Sequence, residues 1–191
     1  MILKGIDISH HNKYQYALKQ IDFSKQDFIM MKATEGRTFV DSMFETYTEE
    51  IKKLGKRYGY YHFARPDRNS AIEEAKHFCN IIGANGKDAM LALDWEAQAV
   101  KHDLNWAVEW LNYVESVFNK KPLFYCSSYY TKKLKPILEN NNGLWVAHYT
   151  KANKPTVYTY PFYAMWQYTS TPVDKDIFNG SEAQWDRYVY R

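Results

Sequence analysis

The feature that most constrains this chain is a repeated alternation of short apolar runs with amphipathic segments of helical period. Runs rich in Ile, Phe, Tyr and Val occupy Ile2–Ser9, Phe28–Glu35, Arg57–Ala64, Ala89–Glu96, Pro122–Ser127, Gly143–Tyr149 and Phe162–Tyr168. Most are apolar at consecutive positions, the pattern of strands covered on both faces. Between them, Phe44, Tyr47, Ile51 and Leu54 recur at spacings of three and four behind an Asp41 cap. Ile72, Ala75, Cys79 and Ile82 do so behind Ser70, with Glu73 completing a capping box. Leu104, Ala107, Val108, Leu111, Val114 and Phe118 follow an Asp103 cap, and Thr131–Glu139 is a weaker segment interrupted by Pro136. From about Asn153 onward the helical signal fades into strands and loops. Strand–helix–strand repetition implies parallel strands with right-handed crossovers, in a closed barrel or an open doubly wound sheet. Gly36 and Gly59 stand alone, so no phosphate-cradling glycine loop follows any strand.

With no internal repeat or linker, the 191 residues read as one domain spanning 1–191. No apolar run approaches the roughly 18 residues of a membrane helix, so no membrane insertion is expected. The balance of 25 Lys+Arg against 22 Asp+Glu gives only +3, too little to argue for a nucleic-acid partner. Met1-Ile2-Leu3-Lys4-Gly5 runs directly into strand-like sequence, without the basic segment and apolar core of a signal peptide. Cys79 on a helical apolar face and Cys126 in a strand are expected to be buried free thiols.

Chemistry collects at strand ends. Asp7, Glu35, His62, Asp94 with Glu96, Tyr125, His148 with Tyr149, and Gln167 all stand at or just past the carboxyl end of a candidate strand, where a barrel builds its active site. The sharpest element is Leu91-Ala92-Leu93-Asp94-Trp95-Glu96. Residues two apart on a strand point the same way, about 6.6 Å apart at roughly 3.3 Å per residue, so both carboxylates project together while Trp95 faces away. Carboxylates so placed cannot both ionise freely, and one must hold its proton to higher pH. A protonated acid beside an ionised partner suits glycosidic cleavage, where the leaving oxygen needs a proton and the sugar gains positive charge. Aromatic residues make up 17% of the chain, and Tyr60, Tyr61, Tyr125, Tyr129, Tyr130, Trp145, Tyr149, Trp166 and Tyr168 cluster near these ends. Trp145 and Trp166 are the expected walls of a saccharide groove. Two rival readings are a metal-dependent amidase or deacetylase using Asp7, His10, His62, Asp94 and His148, and a non-catalytic carbohydrate-binding module. The histidines lack metal-ligand spacing, and a binding module leaves the paired carboxylates without a purpose.

At these positions the sequence resembles the lysozymes of glycoside hydrolase family 25, the N-acetylmuramidases of bacteria and their phages. The resemblance rests, in order, on Gly5-Ile6-Asp7-Ile8-Ser9, Lys32-Ala33-Thr34-Glu35-Gly36, Gly59-Tyr60-Tyr61-His62-Phe63-Ala64, Asp94-Trp95-Glu96, Pro122-Leu123-Phe124-Tyr125, Leu144-Trp145-Val146-Ala147, Trp166-Gln167-Tyr168 and Val173-Asp174-Lys175-Asp176-Ile177-Phe178-Asn179-Gly180. It implies an α/β fold, an irregular, shortened TIM-like (β/α) barrel, and hydrolysis of the β-1,4 bond from N-acetylmuramic acid to N-acetylglucosamine in peptidoglycan. It further implies catalytic roles for Glu96 as acid/base, Asp94 as partner of the substrate N-acetyl group or direct stabiliser, and Asp7 and Asp174 at the cleft floor. Lys32, Glu35, Tyr61, His62, Tyr125, Trp145, Trp166 and Gln167 are the expected substrate contacts. No metal or other cofactor is expected. A monomer is implied, made in the cytoplasm of a producing or phage-infected bacterium and acting on the cell wall. Two positions depart from the family pattern: Asn12 stands where Gln is commoner, and Asp176 where Asn is frequent, which makes it a competitor of Asp174 for the fourth acidic role.

Overall fold

The computed structural model describes residues 2–190, with Met1 and Arg191 outside the described residues. In chain order the elements are β1 (Leu3–Ile8), α1 (Lys13–Ala17), β2 (Phe28–Glu35), β3 (Phe39–Val40), α2 (Phe44–Lys53), β4 (Arg57–Phe63), α3 (Ala71–Ile82) and β5 (Met90–Asp94). There follow α4 (Leu104–Phe118), β6 (Leu123–Ser127), α5 (Lys135–Glu139), β7 (Leu144–Ala147), β8 (Met165–Thr169), β9 (Asp174–Phe178) and α6 (Glu182–Val189). The sheet runs β1-β9-β8-β7-β6-β5-β4-β2 and closes through a β1–β2 pairing, with β3 hanging on β2 as an antiparallel flap. This is the expected irregular α/β barrel, closed rather than open.

Two departures make it irregular. β9 runs antiparallel to both neighbours, pairing Asp7 with Asp174 and Gln167 with Asp176. β7 and β8 are parallel but joined by a loop without a helix between them. The sequence reading assigned neither β9 nor α6. The polar run Asp174-Lys175-Asp176 hides the strand, because two of its inward positions are acidic and only Phe178 is apolar. α6 announces itself only through Ser181, whose side chain accepts from Gln184 in a capping box. Pro136 begins α5 within its first turn instead of breaking a longer helix. Asp41 lies two residues ahead of the α2 cap, Met43, and accepts from its backbone N–H and from His10. The caps at Ser70 and Asp103 form as expected.

Strand alternation divides the interior in two. Leu3, Phe28, Met30, Met90, Ala92, Leu123, Met165 and Phe178 fill the barrel. Ile6, Ile29, Met31, Tyr60, Leu91, Leu93, Trp95, Phe124 and Val146 point outward into the layer shared with the helices. Gly59 keeps the barrel narrow at β4: a Cβ there would lie 2.4 Å from the Met30 sulfur and 2.6 Å from the Met90 carbonyl oxygen. Cys79 and Cys126 are buried and free. No helix among the described residues is long and apolar enough to cross a membrane.

Candidate active site

At the carboxyl end of the parallel strands the barrel opens into a cleft of about 310 Å³. It is lined by Asp7, Lys32, Tyr61, Asp94, Glu96, Tyr125, Trp145, Gln167 and Asp174, all expected from the sequence, and by Ser9, His11, Asn12, Phe63 and Tyr149. Inward strand parity explains the set: Asp7 follows Leu3 and Gly5 along β1, Tyr61 follows Gly59 on β4, and Asp94 follows Met90 and Ala92 on β5.

Hydrogen bonds knit the floor. The Gln167 amide donates to Asp7 Oδ2 at 2.7 Å, and its carbonyl accepts from the hydroxyls of Tyr125 at 3.0 Å and Tyr149 at 2.8 Å. Trp145 packs edge-on to Tyr125 and Tyr61, with ring centroids 4.8 and 6.2 Å apart. Its indole N–H donates at 2.8 Å to Asp176, which lies fully buried beneath the cleft. Asp174 therefore faces the cavity and Asp176 the interior. Lys32 is buried to 6% exposure, pairs with Glu35 at 2.8 Å and lies 4.7 Å from the centroid of Phe63.

Acids outnumber cations here, and every acidic group is pushed toward its neutral form. Asp7 is raised to about 7, first by burial and then by the charge of Asp174, against the hydrogen bond from Gln167. Asp94 is held well above the usual carboxylate range by burial and then by Glu96, and Lys32 opposes both. One of its oxygens is buried without a hydrogen-bond partner. Glu96 is open to solvent on its outer side, yet burial of the rest raises it, Lys32 pulls it down, and Asp174 raises it further. Asp174 is raised by burial. Coupled acids of this kind titrate as a group, and the group retains protons well above the pH at which free carboxylates lose them.

Three expected site residues lie elsewhere. His62 is fully buried on the outward face of β4, with Nε2 2.8 Å from Glu74 and Nδ1 2.7 Å from the Thr34 hydroxyl, and stacks on Trp110. Burial lowers its pKa and Glu74 opposes that shift, so it is a core histidine that ties β4 to α3. Trp166 also points outward, packs in the helix-side core and donates its indole N–H to the His148 carbonyl. Glu35 lines a neighbouring cavity with His10, Arg37 and Arg65. Burial alone would raise Glu35, but Lys32 and Arg65 outweigh it and keep the carboxylate ionised. His148 is engaged by the Thr156 backbone N–H. Of the cleft residues that the strand ends did not disclose, Asn12 is signalled by the Ser9-x-x-Asn12 capping pattern, formed here with both reciprocal bonds. Among the described residues, no three His, Cys, Asp or Glu side chains are arranged to hold a metal ion.

Residues 6–177 match the family of glycosyl hydrolases family 25. The chain belongs to that family. Among curated relatives, the autolytic lysozyme of Clostridium acetobutylicum is 28% identical over 81% of this chain, and the lysozyme of Streptococcus phage Cp-1 is 28% identical over 90%. The chain spans about half the length of each, 47% and 52%. A family 25 lysozyme from Aspergillus fumigatus, 24% identical, shares the fold with a TM-score of 0.81 over the whole of both chains. Family 25 membership makes the chain a glycoside hydrolase and favours neither the metal-dependent amidase nor the binding-module reading.

Proposed function

We propose that this chain is a peptidoglycan muramidase, cleaving the β-1,4 bond from N-acetylmuramic acid to N-acetylglucosamine on the bacterial cell wall. The observation that carries the reading is the pairing of a buried Asp94 with a solvent-reachable Glu96 at the mouth of an acid-rich cleft. Glu96 is the group a glycosidic oxygen can reach, and its raised pKa lets it hold its proton to higher pH than a free glutamate does. Once Glu96 has given that proton to the leaving oxygen, it serves as base for the incoming water.

Asp94 stands behind it, facing the developing positive charge or the substrate's N-acetyl group. As that positive charge grows, it favours the ionised form of Asp94, so stabilisation increases toward the transition state and not before it. Asp7 and Asp174 shape the floor. Tyr61, Tyr125, Trp145 and Tyr149 supply aromatic surface for sugar C–H faces, and Lys32 limits the repulsion among the acids. Digestion of isolated walls followed by borohydride labelling tests the reading. New reducing ends on muramic acid, with no rise in free amines, are expected. Reducing ends on glucosamine, or new amines alone, would replace the reading with a glucosaminidase or an amidase.

A further inference from the structure

Beneath the cleft, Asp176 on β9 pairs with Gly5 on the antiparallel neighbour β1, two residues from Asp7, and the Asp7 and Asp176 side chains come within hydrogen-bonding reach. Asp176 is 0% exposed and Asp7 6%. The donors reaching this pair do not suffice for two anions. Trp145 Nε1–H serves one oxygen of Asp176, and Gln167 Nε2–H serves Oδ2 of Asp7. The second oxygen of Asp176 is buried with no other donor among the described residues, and neither residue forms a salt bridge. A buried anionic oxygen without a donor is costly, and two neighbouring ones more so.

We infer that Asp176 is a positioning residue that carries a proton and through it donates a hydrogen bond to Asp7, orienting Asp7 at the cleft floor. The two carboxyl groups lie within hydrogen-bonding reach of each other, a contact that lowers the pKa of Asp7 and raises that of Asp176, and the geometry beside it is the buried Asp176 oxygen that no other donor serves. Facing the pair are Asp174 on β9, Gln167 on β8 and Trp145 on β7, with Glu96 across the cleft. The acidic members of this set all disfavour a second negative charge. A protonated aspartate here does what an asparagine amide would do, presenting one donor to Asp7 and one acceptor to Trp145. The inference rests on the muramidase reading only in treating Asp7 as part of the reacting cleft.

The test combines an optical and an activity measurement. Infrared spectra of protein labelled with carboxyl-13C aspartate, at neutral pH, should contain protonated-carboxyl intensity that falls by one group's share in Asp176→Asn. On isolated walls Asp176→Leu, which removes donor and acceptor together, should lose roughly 10²-fold in rate through misplacement of Asp7. Asp176→Asn, the conservative variant, should restore lysis and keep it to higher pH, because its donor does not titrate. Unchanged protonated-carboxyl intensity in Asp176→Asn would overturn the inference, as would full lysis by a folded Asp176→Leu. The infrared result stands whether or not the native protein lyses walls, so failure of the muramidase reading is recognised separately.

Discussion

Asp94 and Glu96 stand two residues apart where β5 leaves the barrel, and the fold treats them differently. Asp94 is 7% exposed with a partnerless oxygen, whereas Glu96 opens to solvent at the rim. Between them Trp95 is fully buried on the opposite face, in contact with Trp106 and Phe124 at centroid distances of 5.7 and 6.2 Å. That indole pins the strand end, so the two carboxyls keep their relative placement when substrate arrives. In the proposed muramidase reaction, preorganisation of this kind would spare the cost of ordering acid and charge.

Replacing Glu96 with Gln preserves shape and removes the transferable proton. Wall lysis should fall by roughly 10²–10⁴-fold, the span typical of general acid catalysis, while the thermal midpoint stays within a few degrees. Turbidity assays beside thermal melts check this. Near-native lysis by a folded Glu96→Gln protein would assign the acid to another residue.

Lys32 pulls the pKa values of both Asp94 and Glu96 down. Lys32→Met removes that cation, so both groups should hold their protons to higher pH. The alkaline limb of the kcat profile, where the acid loses its proton, should therefore move upward in pH. Glu35 retains Arg65 as a partner at 3.0 Å, so the local structure should survive. A limb that stays in place, or moves to lower pH, would contradict the electrostatic role.

Asp7 links folding to pH. Its folded pKa of about 7 lies above the ordinary value of 3.8, so the folded state binds the extra proton between those limits. The stability it contributes is complete below about pH 4 and is lost as pH rises toward 7, at up to about 1.4 kcal/mol per pH unit. Urea titrations from pH 4 to 8 should show that Asp7→Asn flattens this slope. Parallel slopes for the two proteins would show that Asp7 titrates normally.

Glu74 accepts from His62, from the Arg65 backbone N–H and from the Asn69 amide, at 2.8, 3.0 and 2.7 Å. Glu74→Ala strands three buried or half-buried donors and should cost roughly 3–5 kcal/mol, the range for breaking a buried pair. KM for wall substrate should stay unchanged, because His62 faces the helices. A variant of native stability with a raised KM would return His62 to the cleft.

Local sequence determined the element order, because capping side chains, helical spacing and apolar runs act over a few residues. Ser70 with Glu73, Asp103 and the runs ending at Asp7, Asp94 and Tyr125 were legible for that reason. The Asp94-x-Glu96 spacing likewise gave the cleft its acidic centre from strand period alone. Only the tertiary structure decided which face of each strand looks into the barrel. When a strand is apolar on both sides, hydrophobicity carries no parity, and His62 and Tyr61 read alike from sequence. Closure sends Tyr61 inward and His62 outward, and the same parity carries Gln167 to the cleft and Trp166 to the helices. β9 was illegible for the converse reason. Its inward residues Asp174 and Asp176 are acidic and only Phe178 is apolar, so the strand lacks a continuous apolar face until β1 and β8 supply partners on either side.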